Sequence, residues 1–149
     1  MPADPERAAA LELVHRLRDI VLRWELAIGE FARTTGFHAT DVRALVSLLD
    51  AERAEVEATP GWLAQQLGMT SQATTAVIHR LEAAGHLERL RSRTDGRSTR
   101  LQVSDSAVGL GWQFFGPLLD RMITTTQTLD HGEQALVKDY LRAVSKALG

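Results

Sequence analysis

Apolar residues recur every three or four positions from about Glu6 to Arg33, at Leu11, Val14, Leu17, Val21, Trp24, Ile28 and Phe31, and this spacing predicts one long amphipathic helix. Leu13, Ile20, Leu22 and Leu26 flank the stripe and widen the apolar face beyond what one small domain covers. A second copy of the chain is the expected cover, with burial inside one monomer as the alternative. Gly36-Phe37-His38 interrupts the pattern, and Val42, Leu45, Leu48 and Leu49 resume it in a second helix, for which His38 or Thr40 is the starting residue. The polar stretch from Asp50 to Ala58 reads as a solvated connection.

The next segment changes period twice. Thr59 can cap a short helix with Pro60 in its first position, where a missing N–H costs nothing, and Gly68 stands where a helix end needs a left-handed residue. Thr70 can cap another helix at once. In it Ala73, Val77, Leu81 and Ala84 make one narrow buried face, while Ser71, Gln72, Thr74, Thr75, Ala76, His79 and Arg80 point elsewhere, until Gly85 closes it. From there the period is two: Leu87 and Leu90 bound one strand, and Leu101 and Val103 alternate with Arg100 and Gln102 on the next. Between them Thr94-Asp95-Gly96-Arg97 predicts a primed hairpin turn, with positive φ at both central residues. Two short helices, a tight turn and a hairpin make a winged helix-turn-helix, so the predicted fold is mainly α with a small β-hairpin wing.

Beyond the wing Ser104 can cap a helix in which Val108, Trp112, Phe115, Leu119 and Met122 form a heptad-like stripe. Gly109, Gly111 and Gly116-Pro117 are poor helix formers and predict a bend or weakened turn. Asp130 with Glu133 three residues on is a capping box for a last helix carrying Leu136, Val137, Tyr140, Leu141, Val144 and Leu148. The expected organisation is a single domain over 1–149, with a winged helix-turn-helix lobe at 40–103 and a helical region from 6–35 and 104–148 whose wide apolar faces are expected to serve dimerisation.

Charge sharpens this picture. The chain has formal net charge −2, yet from His79 to Arg100 six arginines, Arg80, Arg89, Arg91, Arg93, Arg97 and Arg100, face three acids, Glu82, Glu88 and Asp95. Positive charge is therefore concentrated on the helix and hairpin that could meet a phosphate backbone. With no cysteine, thiolate redox sensing, disulfides and cysteine zinc sites are excluded. A Gly-rich phosphate loop and a Gly-x-Ser-x-Gly elbow are absent, and His15, His38, His79, His86 and His131 are scattered without metal-ligand spacing. No enzyme activity, cofactor or metal is expected. The N-terminal Met-Pro-Ala-Asp-Pro-Glu lacks the regions of a signal peptide, and no run approaches the roughly 20 apolar residues of a membrane span, so a cytoplasmic protein without membrane contact is expected.

The Leu67-Gly68 turn, the run Arg80-Leu81-Glu82-Ala83-Ala84-Gly85-His86-Leu87, and Asp95-x-Arg97 followed by Ser104 together resemble the MarR-type (multiple-antibiotic-resistance regulator) transcription factors along the whole chain. The resemblance implies a homodimeric regulator, of the repressor type, that reads a pseudo-palindromic double-stranded operator. On this chain the reading side chains would be Ser71, Gln72, Thr74, Thr75, His79 and Arg80 on the helix and Arg93 and Arg97 on the wing, with Asp95 and Gly96 shaping the wing tip. Two positions depart from the family pattern: Gly96 stands where relatives carry a second wing arginine, and Ala76 where many carry a basic residue. These leave open a winged-helix protein-interaction module that has lost DNA binding. The resemblance also implies a small, often aromatic, effector near the first two helices and the helix after the wing, where Trp24, Phe31, His38, Trp112 and Phe115 are the candidates; a core role is the alternative for the apolar ones.

Overall fold

Asp4 starts the first helix: its carboxylate accepts the Glu6 N–H at 3.0 Å, and Pro5 occupies the first position. The computed structural model describes residues 4–149, so the first three residues of the N-terminal reading lie outside the described residues. Helix α1 (Pro5–Thr35) ends at Gly36, whose φ of +80° lets its N–H turn back to the Ala32 carbonyl. Helix α2 (Ala39–Arg53) follows with His38 as N-cap. The His38 side chain makes no capping bond; its carbonyl accepts from Asp41 and Val42, and Thr40 lies inside the helix, which removes it as an alternative start.

Local rules set the helix-turn-helix. Thr59 Oγ1 accepts the Trp62 N–H at 3.1 Å to begin α3 (Pro60–Leu67), and Gly68, at φ +61°, ends it. Thr70 Oγ1 accepts the Ala73 N–H at 3.2 Å to begin α4 (Ser71–Ala83), and Gly85, at φ +75°, lets the chain turn into the hairpin. Strands β1 (Leu87–Arg91) and β2 (Thr99–Val103) are antiparallel, with Leu87 opposite Val103 and Arg89 opposite Leu101. The hydrophobic core draws Ile28 and Phe31 from α1, Val42, Leu45 and Leu48 from α2, Leu63 from α3, Val77, Ile78 and Leu81 from α4, and Leu87, Leu101 and Val103 from the strands. Full burial of each large side chain stabilises by about 1.5–3 kcal/mol, so this shared core is what joins these helices and the hairpin into one lobe.

The wing tip corrects the expected primed turn. The strands end at Arg91 and Thr99, and residues 92–98 connect them with no positive φ at Asp95 or Gly96. The Asp95 carboxylate organises the loop instead: Oδ1 accepts the Arg97 N–H and Oδ2 the Ser98 hydroxyl, both at 3.0 Å, while the Asp95 carbonyl accepts the Ser98 N–H. An aspartate that bonds two residues ahead needs no left-handed backbone.

Contacts within the chain divide it after Ala107. Helix α1 packs on α2 within the first of these units. In the second unit, α5 (Asp105–Thr126), which begins just before the division and is capped by Ser104 Oγ on the Ala107 N–H, continues through Pro117. Helix α6 (His131–Leu148) starts on the expected capping box, the Asp130 and Glu133 side chains each accepting the other's N–H at 2.9 Å. Among the described residues no helix is long and apolar enough to cross a membrane.

Candidate nucleic-acid interface

The outward face of α4 is made by Ser71, Gln72, Thr75, Ala76 and His79, all exposed. They share one side because positions three and four apart stack along a helix. Thr75 Oγ1 donates to the Ser71 carbonyl at 2.8 Å, which steadies that hydroxyl while leaving its lone pairs outward. Thr74 does not belong to this face. It is 1% exposed, and its hydroxyl donates to the Thr70 carbonyl at 2.9 Å, so it is a buried polar group satisfied within its own helix. The one-position error arises because the inward face of α4 is wider than four residues: Ile78 is buried beside Val77.

The six arginines separate into two sets. Arg80 donates through Nε to Asp41 Oδ2 at 2.8 Å and through Nη2 to Oδ1, joining α4 to α2. This bonding to Asp41 raises the Arg80 pKa further above its ordinary value. Arg80 is thus engaged by a buried carboxylate, where the sequence reading places it among the side chains expected to meet DNA. Arg89 lies on the same side of β1 as buried Leu87, and its Nε donates to Glu82 Oε1 at 2.9 Å, tying the hairpin to α4. Arg100 donates to the Arg91 carbonyl and the Gln102 amide oxygen. The guanidinium groups of Arg91, Arg93 and Arg97 have no hydrogen bond or ion pair among the described residues, and all three residues are exposed. Arg91 therefore joins Arg93 and Arg97 on the surface. Its signal in the sequence was only its membership of the arginine-rich hairpin.

Backbone bonds hold the wing in shape. The Asp95 carboxyl lies below its ordinary range, chiefly because the Arg97 N–H and then the Ser98 hydroxyl favour the anion. The carboxyl of Glu57, in the loop before α3, is also lowered, by the Ser92 hydroxyl first and the Arg93 N–H next.

The aromatic effector candidates fall into different units. Trp24 is half-buried, Phe31 is buried in the core and stacks on Phe37 with centroids 5.6 Å apart, and His38 is exposed; these belong to the first unit. Trp112, 58% exposed, and Phe115, buried, belong to the second. Sequence reasoning passed over Phe37 and His86, whose rings are 4.7 Å apart. They line a cleft of about 180 Å³ with His38, Asp41 and Arg80, and the buried Nδ1 of His86 has no hydrogen-bond partner. No group of three or more metal-ligating side chains occurs among the described residues.

The MarR family model matches residues 35–98, which run from the end of α1 to the wing. No curated protein matches the chain in sequence. Solved structures match its fold. A mutant MepR from a multidrug-resistant S. aureus clinical isolate aligns at 16% identity, covering 92% of this chain and 97% of that one, with a TM-score of 0.71. A S. aureus MepR–DNA complex aligns at 16% identity over 91% and 99%, with a TM-score of 0.56. The transcriptional regulator Tm0710 from Thermotoga maritima aligns at 21% identity over 93% and 94%, with a TM-score of 0.59.

Proposed function

We propose that this chain, whose winged helix at residues 35–98 matches the MarR family model, is a sequence-specific double-stranded DNA-binding transcription regulator acting as a homodimer. One observation carries the reading: the exposed polar face of α4 and the unengaged arginines Arg91, Arg93 and Arg97 are tied together through the Glu82–Arg89 pair. Ser71, Gln72, Thr75 and His79 offer donors and acceptors suited to base edges, and the wing arginines suit phosphate or the minor groove. The DNA held by the MepR fold supports the same use of this one. Arg80 contributes indirectly, by holding α4 against α2.

The homodimer is supported by apolar side chains that one chain leaves in water, among them Leu13, Leu22 and Leu26 on α1 and Leu136 and Leu141 on α6. Their exposure on a single copy is costly, and a twofold partner covers like with like. Such a dimer presents two α4 helices about one helical turn of DNA apart and so reads a pseudo-palindromic operator. A repressor role with release by a small aromatic effector is the finer part of the proposal. The cleft at Phe37, His38 and His86 supports it, since a planar ring can stack there beside the Arg80–Asp41 pair.

Selection of duplexes from a random library by the full chain, followed by anisotropy over a salt series, tests the DNA reading. An enriched palindromic duplex and a negative log–log salt slope are expected. No enrichment and salt-independent behaviour would replace this reading with the protein-interaction module. Sedimentation of the free protein at twice 16.4 kDa is expected, and a particle of 16.4 kDa would end the dimer proposal.

A further inference from the structure

We propose that Glu57 is a positioning residue whose carboxylate latches the root of the wing to the segment leading into α3, and so fixes where the wing arginines stand relative to α4. Its Oε1 accepts the Arg93 N–H at 2.6 Å, and its Oε2 accepts the Ser92 hydroxyl and stands 3.4 Å from Thr94 Oγ1. The next residue, buried Ala58, gives its carbonyl to the Leu101 N–H at 2.7 Å. One dipeptide therefore grips both sides of the hairpin, Glu57 where β1 ends and Ala58 within β2. Thr59 then caps α3, so the grip is one residue away from the helix-turn-helix itself.

The hydroxyl of Ser92 is the joint. It has a single hydrogen, directed at Glu57, while its lone pairs accept the Thr94 N–H at 3.1 Å and the Asp95 N–H at 2.9 Å. Removing Glu57 frees that hydrogen, drops the Arg93 N–H into water, and detaches the loop 92–98 that carries Arg93 and Arg97. The β1–β2 ladder survives, because its bonds run between the strands and do not involve Glu57.

Charge and latch predict opposite signs. A carboxylate among arginines that face an anion weakens binding by repulsion, so if Glu57 were only a charge, neutralising it would strengthen DNA binding. As a latch, its removal weakens binding. Glu57→Gln keeps the length and an acceptor for Arg93 but removes the charge; Glu57→Ala removes both.

This rests on the DNA-binding reading, and the test has an arm that does not. In the free full-length protein, amide hydrogen exchange at Arg93 should speed up about tenfold in Glu57→Ala and stay near wild type in Glu57→Gln, with amides of the α4 core unchanged in both. On a fluorescent duplex selected by the wild-type chain, Glu57→Ala should bind about fivefold more weakly with a salt slope smaller by about one, and Glu57→Gln at least as tightly as wild type. Unchanged exchange at Arg93 in Glu57→Ala overturns the latch. Faster exchange with equal or tighter DNA binding overturns its positioning role. If the wild-type chain selects no duplex, the DNA-binding reading fails, while the exchange arm still decides whether Glu57 holds the wing.

Discussion

Arg80 and Asp41 are 39 residues apart in sequence, yet the guanidinium of one caps the carboxylate of the other with two hydrogen bonds, and their burial is unequal: the Asp41 side chain is 4% exposed and that of Arg80 43%. The inequality makes the two halves of the pair differ in what their removal leaves behind. Arg80→Ala strands a buried carboxylate and should destabilise by about 2 kcal/mol, below the range for a fully buried pair because water reaches the arginine side. Asp41→Asn leaves a guanidinium that solvent can satisfy and should cost less. Urea denaturation of both variants checks the order; a larger cost for Asp41→Asn, or none for Arg80→Ala, would contradict this role of the pair in holding α4 to α2.

Two glycines separate backbone need from empty space. A methyl group at Gly68 or Gly96 meets nothing within 4 Å, but only Gly68 has positive φ, at +61°. Gly68→Ala should therefore cost about 1 kcal/mol from left-handed strain alone. Gly96→Ala should be neutral or stabilise by a few tenths of a kcal/mol, roughly, through the unfolded chain. Thermal melts decide, and a large loss in Gly96→Ala would restore the primed turn.

Arg97 anchors its own backbone on Asp95 and leaves its guanidinium unengaged among the described residues. Arg97→Ala should weaken binding to a selected duplex by about 1–3 kcal/mol, the scale of one good arginine contact, with no change in melting temperature. Equal affinity at moderate salt would remove the wing tip from the interface.

Acid should act on the wing late. The carboxyls of Glu57 and Asp95 both lie below their ordinary values, from bonds that exist only in the folded wing. A depressed folded pKa gives a contribution that is complete above the unfolded pKa and is lost as pH falls through the folded one. Wing order should hold from neutral pH through the region near 4 where free carboxylates titrate, roughly, and fail only below it. NMR titration of the two carboxyl carbons reads this directly, and ordinary midpoints for both would contradict those hydrogen bonds.

Local chemistry was legible in the chain. Thr59, Thr70, Ser104 and Asp130 each cap the helix that follows them, because a side-chain oxygen and an N–H two or three residues on need nothing beyond that turn. Gly36, Gly68 and Gly85 end helices for the same reason of short range. The periodicities placed the helices and strands, since a core face repeats with the geometry of its own element. The wing tip was misread although it is local, because Asp-Gly allows two turn chemistries and the reading chose the one that needs positive φ.

Tertiary structure alone decided which polar groups are left for a partner. The segment from His79 to Arg100 holds six arginines, but Asp41, Glu82 and the Arg91 carbonyl engage Arg80, Arg89 and Arg100, and each partner lies on a different element of the fold. Thr74 turned inward because the elements packed on α4 bury a wider face than its spacing indicates. Glu57 read as part of a solvated charge run until folding brought Ser92 and Arg93, 35 and 36 residues on, to its carboxylate. Caps and periods belong to one element and are written in its own residues; pairing and burial depend on what the fold sets opposite, and no stretch of sequence contains both sides.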